Sequence, residues 1–209
     1  MTALCAIFGA NAAVDLNAVK VDVSMNPAKY KELMQRFVDG DHTLSTDQMS
    51  TVYYGFTYTP GYNPAEDYSD IERTYATGDY AAALSKAEAA LASDPVSLEL
   101  NLYALASAEK LKADGKVDTM KALKLGNRCE MLSSVILESG RGTSAESPFI
   151  INDSSDIDYM LRNVFGVDKI IGKTTVGDVI AVKFTFPGND RQHILYFDNA
   201  PERAHNNNQ

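Results

Sequence analysis

The sequence predicts an α+β fold: an N-terminal helical array, tetratricopeptide-like in its spacing, capped by a small, mainly antiparallel C-terminal β-sheet that carries one helix. Three observations predict it. Apolar residues recur at helical spacing through most of residues 26–138. After Ser139-Gly140-Arg141-Gly142 the period falls to two, most clearly at Ile180, Val182, Phe184 and Phe186. The β-rich segment, residues 146–199, is too short to hold an ample core of its own, so it is expected to pack on the helices.

Composition agrees with a folded, soluble chain, since 45% of its 209 residues are hydrophobic and 22% are charged. A formal net charge of -9 repels phosphate backbones and anionic headgroups, so nucleic acid and membrane surfaces are not expected partners. No apolar run approaches the roughly 18 residues that a membrane span needs.

The first element is a short apolar stretch, Ala3 to Ala10, followed by the small-x-small pattern Ala10-Asn11-Ala12. Residues 1–13 are read as a truncated signal peptide, although Met1-Thr2 supplies no basic residue ahead of the apolar run. That reading places the mature chain in the periplasm or outside the cell; the alternative is a cytoplasmic protein with a buried N-terminal segment. Cys5 would leave with the signal, and Cys129, alone, could form no intramolecular disulfide. Cys129 stands in an apolar row with Leu125, Leu132 and Ile136, which predicts a small buried hydrophobe rather than a reactive thiol.

Asn26-Pro27 reads as a helix start, with Asn26 as N-cap and Tyr30, Leu33, Met34 and Phe37 on one apolar face up to Gly40. Ser45 opens a second helix. Gln48 completes a capping box with it, and Leu44 and Met49 form a hydrophobic staple. From Ile71 to Pro95, the positions of Tyr75, Gly78, Tyr80, Ala83, Leu84, Ala90, Leu91 and Pro95 match the packing and turn residues of a tetratricopeptide repeat. A further helix carries Leu98, Leu102 and Leu105, and another runs from about Thr119 to Leu137. One repeat and a degenerate successor fall short of a free-standing solenoid, so other elements must cover the open ends.

In the last quarter, Phe149-Ile150-Ile151 reads as a short strand, followed by a helix from about Ser155 with Ile157, Met160, Leu161 and Val164 inward. Strands are predicted over Val167 to Ile171, Val179 to Phe186 and Gln192 to Phe197, the last two joined by Pro187-Gly188-Asn189-Asp190. Residues 204–209 are expected to be a disordered tail.

No arrangement of residues amounts to a catalytic centre. Gly166 and Gly172-Lys173-Thr174-Thr175 nearly spell a phosphate-binding loop, but five residues separate the glycines where the motif allows four, and a strand follows instead of a helix. Gly142-Thr143-Ser144-Ala145-Glu146 lacks the second glycine of a nucleophile elbow. His42, His193 and His205 are scattered without ligand spacing, so neither a metal nor another cofactor is expected. His193 is read as a solvent-facing cross-strand residue within reach of Asp178 or Asp198. The carboxylates from Asp153 to Asp158 are read as helix N-terminal charge.

The segments that carry most information come in a fixed order. They are Tyr30-Lys31-Glu32-Leu33 through Arg36-Phe37, Asp41, Thr43-Leu44-Ser45, Val52-Tyr53-Tyr54-Gly55 and Pro60-Gly61-Tyr62-Asn63-Pro64. Farther on come Ser139-Gly140-Arg141-Gly142-Thr143-Ser144, Phe149-Ile150-Ile151, Asp153 to Tyr159 with Leu161, and Leu195-Tyr196-Phe197-Asp198. Their order resembles domain of unknown function family 4919, proteins exported by anaerobic gut-type bacteria. Arg141 departs from the pattern, which has an acidic residue there, and the charged stretch after Asn63-Pro64 is shorter than usual. The resemblance implies export and a helical-plus-sheet fold, and supplies no catalytic residue.

Within the family segments, Tyr53, Tyr54, Phe56, Tyr58 and Tyr62 place five aromatic residues in ten positions. Tyrosine joins apolar area to a hydrogen-bonding tip, which suits recognition of a peptide or a sugar ring. These five are the candidate binding residues, set against the competing reading that they are core beneath a long loop. The function expected is a non-enzymatic module of the bacterial envelope that binds another envelope protein or a peptide. Two alternatives stand beside it: an enzyme of unfamiliar type, with Asp153, Ser155 and His193 meeting in a pocket, and a structural accessory of an envelope assembly.

Overall fold

The computed structural model describes residues 14–207; the signal peptide expected over residues 1–13 lies outside them. Helix α1 (Leu16–Met25) adds to the expected elements, and Asp15 caps it by accepting from the backbone N–H groups of Asn17 and Ala18 at 3.0 Å each. Helix α2 (Pro27–Val38) starts at its proline as expected, but Asn26 makes no side-chain cap. Its amide donates instead to Asp22 Oδ1 at 2.8 Å, an acceptor one turn back on α1. Helix α3 (Thr46–Phe56) begins with the expected capping box: Ser45 Oγ accepts from Gln48 N at 3.3 Å, and Ser45 N donates to Gln48 Oε1 at 2.9 Å. Leu44 and Met49 are buried beside it.

Two helix pairs follow, α4 (Ser69–Ala76) with α5 (Tyr80–Leu91) and α6 (Leu98–Ala113) with α7 (Thr119–Glu138). Asp79, Ser97 and Asp118 cap the last three. Ala83 and Ala87 of α5 and Ala104 and Ala108 of α6 are all buried, and their small side chains let the helix axes approach closely. Leu84, Leu91, Leu100, Leu111 and Leu125 fill the space around them.

The sheet contains β1 (Phe149–Ile150), β2 (Lys169–Val176), β3 (Val179–Phe186) and β4 (Asn189–Asp198) in the order β1-β4-β3-β2. β1 runs parallel to β4 and the other pairs are antiparallel. β3 has its expected bounds, whereas β2 extends to Val176 and β4 starts at Asn189, because the turn consumes only Pro187-Gly188. Gly188 supplies the positive φ of +68° that this tight turn requires. Between β1 and β2, α8 (Asp156–Tyr159) widens into a π-helical turn over Met160–Val164, where Phe165 N donates to Met160 O at 3.0 Å. Ile157, Met160 and Leu161 are buried as expected, but the wider winding carries Val164 off that face and leaves it exposed.

The tail expected to be disordered over residues 204–209 is instead helical up to Asn206, within α9 (Ala200–Asn206). Arg203 ties this helix to the sheet by donating to Asp178 O at 2.6 Å and Asp198 Oδ1 at 2.9 Å. Phe37, Val52, Tyr53, Leu132 and Ile136 from the helices and Phe149, Ile157, Phe184 and Phe197 from the C-terminal part belong to one continuous core. The sheet is thus a wall of the same interior that the helices enclose.

Candidate functional site

Helix α3 ends in Tyr53-Tyr54-Gly55-Phe56, all four of them buried. Gly55 leaves no room for a side chain, since a Cβ there would stand 2.7 Å from Val23 Cγ2, where α1 presses on α3. The Tyr53 hydroxyl donates to Asp156 Oδ2 at 2.5 Å and accepts from Asn152 N at 3.0 Å. The Asn152 amide donates to Tyr53 O at 2.7 Å, and the Tyr54 hydroxyl donates to Ile150 O at 3.1 Å. Tyr62 donates to Asn152 O, and Tyr58 donates to Leu16 O at 3.1 Å. The aromatic run is therefore a latch between the helices and the segment that leaves β1.

This corrects the candidacy of Tyr53, Tyr54, Phe56, Tyr58 and Tyr62 as a solvent-facing recognition surface. Four of them are buried and Tyr58 is half-buried, because each hydroxyl finds a partner inside the protein and the rings can enter the core without an unpaired polar tip. Only Phe56 and Tyr62 also line a cleft.

That cleft is a notch of about 80 Å³, walled by the Asn63–Tyr68 stretch, the Asp94–Glu99 stretch and the Asn152–Asp156 stretch. Its walls carry Glu66, Asp94, Glu99, Asp153 and Asp156, with no Lys, Arg or His among the lining residues. Burial, first of all, pushes the Asp156 carboxyl up to about 8, against the opposing pull of the Tyr53 hydrogen bond and with help from the charges of Asp153 and Asp94. Burial likewise pushes Asp94 up to about 6 and raises Asp153 and Glu99. Asn152 is only 4% exposed, and its Oδ1 has no hydrogen-bond partner.

Glu99 and Ser155 also border an adjoining groove of about 550 Å³ between α4, α6 and α8. Tyr75, Tyr103 and Tyr159 line it, with the Tyr75 and Tyr103 rings 5.7 Å apart and the Tyr103 and Tyr159 rings 6.1 Å apart. Glu72, Asp158 and Arg162 lie along the same groove. Another groove, of about 590 Å³, runs between the 39–49 stretch and α7, with Met120 and Leu123 exposed in it. His42 and Lys124 line it, and Arg162 lines the groove beside α8, whereas every charged residue lining the notch is acidic.

The remaining candidates are dispersed. Asp153 and Ser155 meet at the notch, but His193 stacks on Phe184 in the sheet at 5.8 Å and packs edge-on to Phe186. His193 does not have the expected partner, since Asp198 receives Arg203 and the His193 Nε2 is buried without a hydrogen bond. The Gly172-Lys173-Thr174-Thr175 segment lies within β2, and Lys173 pairs with Asp158 at 2.9 Å. Cys129 is buried and its thiol is pushed up to about 12, consistent with a packing role.

Among the described residues, no three His, Cys, Asp or Glu side chains are placed to hold a metal ion. No described helix is long and apolar enough to cross a membrane.

Sequence reading missed Asn152 and Asp94 and assigned Asp156 to helix-terminal charge. The notch joins stretches roughly 30 to 60 positions apart, so no local spacing announces it. The one signal was an unusual supply of acids and tyrosines in the family segments, with few bases between them.

No curated protein and no solved structure matches the chain. The family model described as "Domain of unknown function (DUF4919)" matches residues 17–207, from α1 through α9. With the latch tyrosines, the notch and the groove all inside that match, the chain belongs to the DUF4919 family.

Proposed function

We propose that the chain is a non-enzymatic binding protein of the bacterial envelope whose tetratricopeptide-like helical array, with α8 as a second wall, receives a peptide or an extended segment of another protein. The observation that carries this reading is the groove between α4, α6 and α8, with three partly exposed tyrosine rings along it and the acidic notch beside it. Tyrosine rings offer large contact areas at low entropic cost, and a groove of about 550 Å³ lies within the range of roughly 300–1,000 Å³ typical of ligand sites. Assignment to the envelope rests on the apolar stretch ending in Ala10-Asn11-Ala12 and on the exported character that the family resemblance implies.

Selection of displayed random peptides on the full chain tests the reading. Selected peptides should bind at least tenfold more weakly to Tyr103→Ala and Tyr159→Ala variants whose melting temperatures are unchanged. Failure to select any peptide, or selection of peptides indifferent to both substitutions, would overturn it.

A second reading, an enzyme, is favoured by one observation. Asp156 is held at about 8 and Asp94 at about 6 in the same notch, and two carboxyls with separated pKa values are what a general acid and a general base require. Turnover of any hydrolysable substrate that is lost in Asp94→Asn would favour it over simple binding.

A further inference from the structure

We propose that the groove between α4, α6 and α8 takes a proline-rich segment in the polyproline II conformation, flanked by a basic residue; this deepens the peptide-binding reading and rests on it. Four tyrosine rings stand in a row. The centroids of Tyr80 and Tyr75 are 5.2 Å apart, those of Tyr75 and Tyr103 5.7 Å, and those of Tyr103 and Tyr159 6.1 Å. Tyr75, Tyr103 and Tyr159 line the groove and are partly exposed. Roughly six residues of polyproline II, at about 3.1 Å each, cover the row.

Successive ring planes along the row are tilted by 58°, 57° and 78°. They form no flat platform for the face of a sugar. The angles between them accept the ridge of a proline ring, which is how aromatic-lined grooves receive polyproline II. The walls disfavour other peptide shapes. Along their length, helices spend their backbone groups on their own hydrogen bonds, so a β-strand laid between α4, α6 and α8 finds no partner for its N–H and C=O groups. An amphipathic helix needs an apolar groove, and among the described lining residues only Leu102 and Ala106 are aliphatic. Polyproline II keeps its backbone in water and has little conformational freedom to lose on binding.

Charge sets the flank. Asp158 is paired with Lys173 at 2.9 Å, which leaves Glu72, Glu99 and Arg162 as the other charged lining residues. Glu99 also borders the notch, where Glu66, Asp94 and Asp153 extend the negative field. A Lys or Arg on that side of the peptide is drawn toward Glu99. Burial, and after it hydrogen bonds to Glu99 and Tyr103, push the Tyr159 hydroxyl well above the usual phenol range. With its tip engaged, the ring is what Tyr159 offers a ligand.

The test is fluorescence anisotropy of the full chain with labelled decaproline carrying two lysines at each end. Beside it run a peptide with alanines for the prolines and one with glutamines for the lysines. The proline peptide should bind at least tenfold more tightly than the alanine peptide of equal charge. Tyr75→Ala and Tyr103→Ala, at unchanged melting temperature, should each weaken it at least tenfold. Glu99→Gln should weaken the lysine-flanked peptide at least threefold and leave the glutamine-flanked one unchanged. Amide NMR of the native protein maps the site without any variant, and shifts should centre on Tyr75, Tyr103 and Tyr159.

Equal affinity for the proline and alanine peptides, or shifts centred away from the three tyrosines, would overturn the proposal. Tyrosine shifts with cellohexaose and none with decaproline would replace the peptide by a saccharide. An unchanged affinity in Glu99→Gln would overturn the basic flank. Random peptides that bind the groove without enrichment in proline would overturn the proline preference and leave peptide binding standing; failure of every peptide would remove both.

Discussion

Asp156 is the residue at which structure and chemistry are most tightly joined. It is buried, bonded to Tyr53 and held at about 8, so the folded protein retains a proton that the unfolded chain releases near 4. Below pH 4 the carboxyl is neutral in both states and burying it carries no ionisation cost. Between pH 4 and pH 8 the folded state binds more protons than the unfolded one, so this group lowers stability as pH rises, by at most about 1.4 kcal/mol per pH unit. Asp94 acts in the same direction up to about pH 6. Asp156→Asn keeps the acceptor for Tyr53 and removes the titration. Urea unfolding at pH 5, 6, 7 and 8 should therefore show the variant gaining on the native protein by about 1 kcal/mol per unit; parallel pH dependences would contradict the assignment. None of this was legible in the sequence, where Asp156 sits in an acidic run and its partner Tyr53 lies 103 positions away. Cys129 was legible, because a helical apolar row fixes which face it occupies.

Among elements, most local signals were read correctly, the Asn26 cap and the Asp15-capped α1 being the exceptions, and features fixed by distant contacts were missed. The Ser45 capping box, the Pro27 helix start and the bounds of β3 all follow from residues within a few positions of one another. The extension of β2 to Val176, the π-helical turn and α9 depend on pairing with β3, on packing and on Arg203 reaching Asp178 and Asp198. The glycine-rich connection after α7 gives the family segment at Ser139–Ser144 a structural meaning. Gly142 has φ +65°, and a Cβ there would stand 2.1 Å from the Phe149 ring, while its carbonyl accepts from Tyr196 N at 2.8 Å. Gly142→Ala should destabilise the protein by about 3 kcal/mol or more through backbone strain and the displaced ring. Chemical denaturation would check this, and a loss below about 1 kcal/mol would mean that the connection is looser than its geometry.

At the scale of the whole molecule, one core cluster joins α1–α3, α6 and α7 to the sheet and a second lies among α4–α7; because α6 and α7 contribute to both, the chain should unfold as a unit despite its change of pattern near residue 140. Circular dichroism of the helices and near-ultraviolet signals of the buried tyrosines should give coincident unfolding transitions; a separate early loss of the tyrosine signal would contradict a shared core. The sequence conveyed the α+β layout because hydrophobic period reports on elements. It was silent about the notch, since a cleft between three distant stretches is a property of the closed fold. The most direct measurement is the binding of a fluorescent peptide selected on the full chain, titrated with the native protein and with folded Tyr103→Ala and Tyr159→Ala variants, since both rings line the groove. The account predicts binding at least tenfold weaker in both variants. Equal affinity for all three proteins would contradict it.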